Sequence, residues 1–299
     1  MKRLALVILF AGVLLACSKN STPATSNAAT FASELQTQAN DQIRISNDID
    51  AAFNDVDSVL ANDTTICGAT ITVDSVDTPR LTTITYSGNS CNGLFNRTGS
   101  IRIYSDPGSS WHTAADSLTV DLTTLAVTRV SEGKVMIYTG GFIYRNISGG
   151  ALPGPNTGTG PVVHTITGSG VSITYDDSMH TSWRFTRQRS YTYNSGLVIA
   201  TTGTDSAGGV ANVADWGANR YGNSIFSVFT SPWVISQGCG GQLTGGQATM
   251  TNPIGVTILT LGLDSTGKAT GCPVTGKHYY YQMAWTGDGE NPYNAIVPY

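Results

Sequence analysis

The segment YDDSMH, residues 175–180, places two carboxylates and an imidazole within five positions. Asp176, Asp177 and His180 carry the oxygen and nitrogen donors that divalent transition metals accept. The same three residues on one short polar segment are also typical of a solvated turn, and the other histidines lie far away in the sequence. We therefore predict no metal site and no cofactor.

Motifs of common hydrolases and nucleotide-binding enzymes are missing from the sequence. Gly168-Ser169-Gly170 is not the G-x-S-x-G of a nucleophile elbow, and neither H-E-x-x-H nor a phosphate-binding glycine loop occurs. Glutamate occurs only at Glu34, Glu132 and Glu290, so a glycosidase pair would have to use Asp or one of these. We predict that the protein is not an enzyme; a hydrolase built from unmarked Asp residues is one alternative.

The amino terminus carries the features of an export signal. Lys2 and Arg3 precede an apolar run from Leu4 to Leu15, followed by Ala16 and Cys17. A helix of this length spans about 18 Å, which is too short for a hydrocarbon layer of about 30 Å. The run is therefore predicted to be a signal peptide.

The sequence LLAC, residues 14–17, resembles the lipobox of bacterial lipoproteins; the alternative is a plain signal peptide with a chance Cys. The resemblance implies cleavage after residue 16 and attachment of diacylglycerol and a fatty acid such as palmitate to Cys17. Residues 17–30 are small and polar and are predicted to be a flexible tether. Ser18 is not the Asp that favours retention at the inner membrane of lipobox proteins. The resemblance therefore implies a lipid anchor in the outer membrane, with the periplasmic face favoured because no acidic cluster follows Cys17.

The composition excludes one class of partner and indicates one class of fold. Charged residues are only 12% of the chain, the formal net charge is −4 and the pI is about 5.4. No basic patch is visible, so nucleic acid is not an expected partner. Abundant Gly, Ser, Thr and Asn favour strands joined by turns over helices.

An even number of cysteines remains after the leader, which in an exported chain predicts two disulfides. These cysteines are Cys67, Cys91, Cys239 and Cys272. Of the three connectivities, we favour pairing between neighbours in sequence, Cys67–Cys91 and Cys239–Cys272. A zinc site is the alternative, but no CxxC or Cys/His cluster occurs.

The first pair is supported by a predicted hairpin of ATITVDSV and LTTITYS around the turn-like residues 77–80. Placing Val73 opposite Ile84 and Ile71 opposite Tyr86 brings the two cysteines together. A bulge at Gly68 and Gly88 would absorb the remaining mismatch.

One amphipathic helix is predicted at residues 31–61, with Asn and Asp residues that favour a break near residues 46–48. Its apolar residues recur at intervals of mostly three or four, which predicts a stripe that covers a sheet. They are Phe31, Leu35, Ala39, Ile43, Ile49, Phe53, Val56 and Leu60.

The remainder alternates in hydrophobicity and is predicted to be a mainly β fold, an antiparallel meander, sandwich or roll. Strands are predicted at 69–76, 81–87, 99–104, 117–122, 134–145, 162–176, 181–193, 197–204, 224–236, 259–263 and 278–286. The glycine- and proline-rich segment 149–161 suggests a boundary between two β modules, 62–150 and 151–299.

An aromatic stripe in HYYYQMAW is a candidate binding surface. Strand alternation places Tyr279, Tyr281 and Trp285 on one face, where they would form a platform that stacks on sugar rings. The alternative is that these side chains fill a β core.

Seven Asp residues are each followed by Ser or Thr and then by an apolar residue, a small residue or Thr. The triplet resembles an O-glycosylation acceptor of exported proteins from one large group of Gram-negative bacteria. Asx turns, which favour Asp-Ser, are a compatible explanation. The candidate acceptors are Ser58, Thr64, Ser75, Ser117, Ser178, Ser206 and Ser265.

The stretch from Thr83 through NRTGSIRIYSD to NISGG, residues 83–150, resembles a set of uncharacterised exported β-rich lipoproteins from the same bacterial group, as does the segment DWGANRYGNSIF, residues 215–226. The resemblance implies architecture and location, and no catalytic residue. We expect an outer-membrane lipoprotein that binds or scaffolds an envelope protein or glycan. A glycan-binding module that uses the aromatic stripe is the alternative.

Overall fold

The computed structural model describes residues 28–62, 65–74, 76, 79–158, 160–207, 209–239, 241–253, 255–272, 278–286 and 293–299. These residues form one long helix, α1 (Ala28–Leu60), followed by strands and a short 3-10 helix (Gln237–Cys239). The strands are β1 (Ala69–Asp74), β2 (Arg80–Asn89), β3 (Phe95–Ser105), β4 (Asp116–Arg129), β5 (Val135–Asn146), β6 (Val162–Thr174), β7 (His180–Tyr193), β8 (Leu197–Gly203), β9 (Asp205–Ala207), β10 (Val210–Ala218), β11 (Ser224–Ser236), β12 (Gln242–Asn252), β13 (Gly255–Leu263), β14 (Tyr280–Thr286) and β15 (Tyr293–Pro298).

The strands form one antiparallel sheet in which most neighbours in sequence are neighbours in space. The exceptions are β7, which also pairs with β10, and β8, which pairs with β11 as well as with β7. The predicted mainly β fold with one helix is confirmed. Strands β5 and β6, on either side of residues 149–161, are hydrogen-bonded to each other. The strands of the two suggested modules therefore belong to one sheet.

The sheet curves around α1 and encloses it. Residues 41–46 are six consecutive buried positions, and at 3.6 residues per turn they cover every side of the helix. The predicted stripe from Leu35 to Val56 is indeed buried. The stripe packs against the sheet as predicted, and the polar side of the helix is enclosed as well. The break expected near residues 46–48 is absent, and α1 is continuous there.

Strand alternation places one apolar face of the sheet against the helix. Leu118, Val120 and Leu122 of β4 are buried, while Thr119 between them is exposed. From the helix side, Phe53 packs edge-on against Phe142 at 5.3 Å between ring centroids. Burying side chains of this size stabilises the fold by about 1.5–3 kcal/mol each.

Both predicted disulfides are present. The Cα atoms of Cys67 and Cys91 lie 5.1 Å apart, and those of Cys239 and Cys272 lie 5.0 Å apart. Each bond joins cysteines that are neighbours along the chain, as predicted, and closes a loop that contains two consecutive strands.

The hairpin beside the first disulfide forms with a register that differs from the prediction by two residues. Ile71, not Val73, lies opposite Ile84. The predicted glycine pair does meet. Gly68 has a φ of +69°, and a Cβ there would lie 2.7 Å from the carbonyl carbon of Gly88, so the close approach requires glycine.

Within the described part of the chain, no helix has both the length and the apolarity needed to cross a bilayer. The helix α1 instead carries many charged and amide side chains, whose partners lie on the enclosing strands.

Candidate functional site

The polar interior between α1 and the sheet holds the most reactive combination of side chains in the described structure. The buried charged residues of the helix are Asp41, Arg44, Asp48, Asp50 and Asp57. The buried charged residues of the strands are Arg97, Arg187, Arg189 and Asp215. A charge that leaves water must find a partner or change its protonation, so the geometry of these groups decides what they do.

Asp57, near the carboxyl end of α1, is the centre of one cluster, which we call the Asp57 cluster. Tyr144 donates a hydrogen bond to its Oδ1 at 2.5 Å, and Tyr191 donates to its Oδ2 at 2.7 Å. Arg189 donates to the same Oδ2 at 3.2 Å. His164 Nδ1 lies 3.4 Å from Oδ1 and 2.7 Å from the Tyr144 oxygen. Each tyrosine has one hydroxyl hydrogen, which goes to Asp57, so His164 Nδ1–H is the donor to Tyr144.

The pKa values in the Asp57 cluster decide which of its groups are charged at neutral pH. Burial opposes the ionised form of Asp57, but the hydrogen bond with His164 and the charge of Arg189 outweigh it and lower the pKa below its ordinary value. Burial, with the neighbouring carboxylate, raises the pKa of Tyr144 well above its ordinary value. The cluster therefore holds a carboxylate anion among neutral phenols at neutral pH.

The Asp57 cluster contains the groups of an acid–base site but is closed to solvent. The exposed fraction of His164 is 1%, and the indole of Trp111 lies over it at 4.9 Å between ring centroids. Trp111 lies equally close to the ring of Tyr144. The side chains consequently join α1 to β5, β6 and β7.

A second group of charges, which we call the Asp50 cluster, lies nearer the amino end of α1 than the Asp57 cluster does. Arg187 forms a two-pronged salt bridge with Asp215, at 2.7 and 2.8 Å, and donates to Ser46 of the helix at 2.9 Å. Gln42 of the helix donates to Asp215 at 2.8 Å. Burial raises the pKa of Asp50, although the charges of Arg187 and Arg189 act against the rise. Such pairs fix which strands lie against which side of the helix.

Asp48 lies on another side of α1, where fewer groups compensate its charge. Tyr138 donates a hydrogen bond to it at 2.7 Å, and Arg44 Nε lies 3.9 Å away. Burial raises the pKa of Asp48 from 3.8 to about 6, against the opposing charge of Arg44. Asp48 and Asp57 therefore differ in protonation behaviour although they lie on the same helix.

The residues considered for a metal site have other partners. Arg220 contacts Asp176 at 2.8 Å and Asp177 at 3.2 Å, and it also binds Asp41 of the helix at 2.7 Å. The remaining residue, His180, is exposed. Across the described residues, no group of three or more His, Cys, Asp or Glu side chains is arranged to hold a metal ion.

The aromatic stripe of β14 faces the core. Tyr279 and Tyr281 have no exposed surface, and Trp285 is only 5% exposed. Tyr281 donates a hydrogen bond to Asn40 of α1 at 2.8 Å. The hypothesis that these residues form a sugar-stacking platform at the surface is therefore wrong. The alternation was assigned correctly, but the stripe packs inward.

Several of the Asp-Ser triplets form Asx turns, in which the carboxylate accepts a hydrogen bond from the backbone two residues on. Asp177 accepts from Met179 N at 3.1 Å, and Asp264 accepts from Thr266 N at 2.8 Å. Ser178, the central residue of the first turn, is exposed, as is its counterpart in the second.

The other candidate acceptors differ in environment. Ser117 and Ser206 are exposed on strands, whereas Ser58 is half-buried on α1 beside the buried Asp57. Thr64, Ser75 and the candidate lipidation residue Cys17 lie outside the described residues. A hydroxyl must be exposed to accept a sugar, so Ser58 is the least suitable of the described candidates.

The outer surface carries one groove along the edge of the sheet. It has a volume of about 450 Å³ and is formed by Thr72, Val73, Asp74, Val76, Leu81 and Thr83. Among the described strands, β1 pairs only with β2, so the other edge of β1 is open. Val73 on this strand is 50% exposed.

The residues of the Asp57 and Asp50 clusters were not predicted from the sequence, although β7 carried a signal for two of them. In the alternating segment from Phe185 to Tyr191, Arg187 and Arg189 share the face of the aromatic residues. Charged residues on the apolar face of a strand indicate buried partners. His164 likewise shares the apolar face of Val162 and Ile166 on β6, whereas Asp215 follows a register shift in β10 and carries no such signal.

Comparison with protein-family models, with curated protein sequences and with solved structures found no match to this chain.

Proposed function

We propose that the protein is a lipoprotein of the Gram-negative outer membrane, anchored through acylated Cys17. Its β domain would be non-catalytic and would bind or scaffold a component of the cell envelope. The anchor is supported by the LLAC sequence at the end of a short signal-like apolar run. The periplasmic face is favoured, because no acidic cluster follows Cys17.

One observation carries the non-catalytic part of the proposal. In the described part of the chain, the side chains that cluster with acid–base potential lie inside the sheet, where they bond to one another, and His164 is only 1% exposed. A general acid or base must come within hydrogen-bond reach of its substrate. The arrangement instead suits attachment of α1 to the strands.

The open edge of β1 supports a protein as the envelope component, in preference to a glycan. A partner strand can add to an open sheet edge through backbone hydrogen bonds, with side chains held in adjacent pockets. The groove along β1, with half-exposed Val73, offers such a combination. The aromatic residues that would favour sugar are buried.

Cell fractionation tests the anchor. Cys17→Ala should move the protein from the outer-membrane fraction to the periplasmic fraction, because the acylated sulfur is removed. Ser18→Ala, one residue away, is the matched control and should leave the protein in the membrane. Equal fractionation of the two variants would contradict the anchor.

Crosslinking in host cells tests the binding edge. Val73→Lys places a charge on the edge strand and should abolish a crosslinked product that wild type forms. Thr119→Lys, on the exposed face of a central strand, should retain it. Loss of the product in both variants, or in neither, would exclude the β1 edge as the binding surface.

We also propose that the exposed Asx-turn serines, Ser178 and Ser265, carry O-linked sugar. The intact mass of protein from its host should exceed the mass of the acylated polypeptide, and Ser178→Ala should lower the excess by one glycan. Ser58→Ala, beside buried Asp57, should not change the excess. A mass equal to that of the acylated polypeptide would refute this modification.

A further inference from the structure

Four turns of the sheet present a large apolar side chain to solvent. Leu94 follows β2, Val130 follows β4, Met179 follows β6 and Tyr221 follows β10, with exposed fractions between 43% and 54%. Alternate turns of an antiparallel meander lie at the same end of the sheet. Strand β10 also runs antiparallel to β7, so the turn after β10 joins the turn before β7 at this end. We call these four turns the apolar rim.

Neighbouring turns of the apolar rim are bonded to each other. Val130 N donates to the carbonyl of Leu94 at 3.0 Å, which joins the turns after β4 and β2. Arg220, beside Tyr221, contacts Asp176 at 2.8 Å and so joins the turns after β10 and β6. The exposed apolar side chains are thus mounted on turns with fixed positions.

The amino-terminal half of α1 lies beside three turns of the apolar rim, those of Val130, Met179 and Tyr221. Gln38 accepts a hydrogen bond from Asn219 at 3.0 Å, and Arg44 donates to the carbonyl of Lys134 at 2.7 Å. Asn219 and Lys134 flank turns of the rim. The carboxyl half of the helix meets Tyr144 near the last residues of β5, through Asp57. Through Asp55 it also meets Arg97, beside the Leu94 turn, at 2.6 Å.

The distance from the lipid anchor to the helix selects which end can face the membrane. Ten residues separate Cys17 from Ala28. Fully extended, these eleven steps reach about 36–40 Å. The 33 residues of α1 extend about 50 Å, so the anchor cannot reach past the far end of the helix.

We infer that the apolar rim rests on the membrane that holds the acyl chains of Cys17, with Val130, Met179 and Tyr221 in contact with lipid. This inference depends on the proposed lipid anchor. Apolar residues at the other end, such as Ile147 with 42% exposure, show that exposure alone does not identify the membrane-facing end. The limited reach of the lipid anchor identifies the membrane-facing end.

Charges in the rim turns are compatible with contact between apolar side chains and lipid. Arg220 is compensated by Asp41 and Asp176, and Lys134 lies 3.8 Å from Glu132. The rim therefore has no cluster of free cations for anionic headgroups, and its contribution is apolar. It would orient the β1 edge and the groove beside it relative to the bilayer.

Photocrosslinking to lipid tests the inference. The photoreactive residue benzoylphenylalanine replaces Tyr221 in one variant of the full-length lipidated protein and Ile147 in the control variant. Each is reconstituted into vesicles of phosphatidylethanolamine and phosphatidylglycerol and irradiated, and protein–lipid adducts are measured by mass spectrometry. We expect a several-fold higher adduct yield at position 221. An equal yield at the two positions, or a higher yield at 147, would overturn the inference.

The same samples separate failure of the rim from failure of the anchor. Mass spectrometry of the amino-terminal peptide shows whether Cys17 is acylated. Acylated protein without the position-221 preference refutes the rim and leaves the anchor standing. Protein with unmodified Cys17 refutes both. Equal melting temperatures of the two variants confirm that neither substitution has altered the fold.

Discussion

Replacing Asp48 with Asn should make the protein more stable at neutral pH. Asp48 is buried on α1, and burial raises its pKa from 3.8 to about 6. The folded state therefore holds this proton more tightly than the unfolded state does. Stability from this group is fully present below pH 3.8 and is lost as the pH rises towards 6.

The magnitude follows from the size of the pKa shift. A rise of roughly two pKa units corresponds to about 3 kcal/mol of unfolding free energy lost by the time Asp48 is ionised. Asn has nearly the same shape, remains neutral and can accept the hydrogen bond from Tyr138. The stability of Asp48→Asn relative to wild type should increase by about 2–3 kcal/mol between about pH 4 and pH 7.

Urea unfolding at a series of pH values measures this difference. Both proteins carry Cys17→Ala so that membrane attachment does not interfere, and unfolding is followed by tryptophan fluorescence. A difference in unfolding free energy that is constant with pH would refute the reasoning. A difference that falls as the pH rises would show that Asp48 is stabilised as an anion by Arg44.

Three further substitutions test other parts of the interior by the same unfolding measurement. Asp57→Ala removes the carboxylate that Arg189 contacts and should cost about 3–5 kcal/mol of unfolding free energy at neutral pH. Ionised Asp57 stabilises the fold because its folded-state pKa is lowered. The loss should therefore shrink as the pH falls below 3.8 and through that lowered pKa. Phe53→Ala removes ring packing inside the sheet and should cost about 3–5 kcal/mol at every pH. Cys67→Ser, made together with Cys91→Ser, opens a loop of 24 residues and should cost about 3 kcal/mol.

Each of these expectations has a distinct contrary result. A pH-independent loss in Asp57→Ala would mean that the carboxylate charge does not contribute. A loss below about 1 kcal/mol in Phe53→Ala would mean that the sheet does not pack tightly on α1. If removing the Cys67–Cys91 disulfide leaves the stability unchanged, the β1–β2 hairpin keeps its position without that bond.

The local pattern of the sequence predicted which residues share a face, but not which face is enclosed. In β14 the alternation of Tyr279, Tyr281 and Trp285 was correct, yet periodicity alone cannot say whether a stripe faces solvent or core. The same limit explains α1, whose polar side is buried because distant strands close over it. Contacts such as Arg187 with Ser46 depend on that closure.

The register of the first hairpin shows a related limit. A shift of two residues leaves every side chain on its original face, so apolar alternation accepts either register. The closing geometry at the disulfide and at Gly68 selects Ile71 opposite Ile84. The pairing of the cysteines was predictable because both registers bring them near each other.

Two of the strands missed by sequence reasoning have an interrupted alternation. Strand β12 contains Gly245-Gly246, and β10 shifts its register between Val213 and Asp215. Glycine weakens a strand pattern, and a bulge reverses the alternation beyond it. Both strands form because the strands on either side supply their backbone hydrogen-bond partners.

The placement of this protein depends on one covalent modification, and mass spectrometry of the amino-terminal peptide from host cells tests it most directly. We predict that the mature chain begins at Cys17, with diacylglycerol on the sulfur and a fatty acid on the amino group. A mature chain that begins elsewhere, or one with a free thiol at Cys17, would contradict the anchor and the membrane-facing rim.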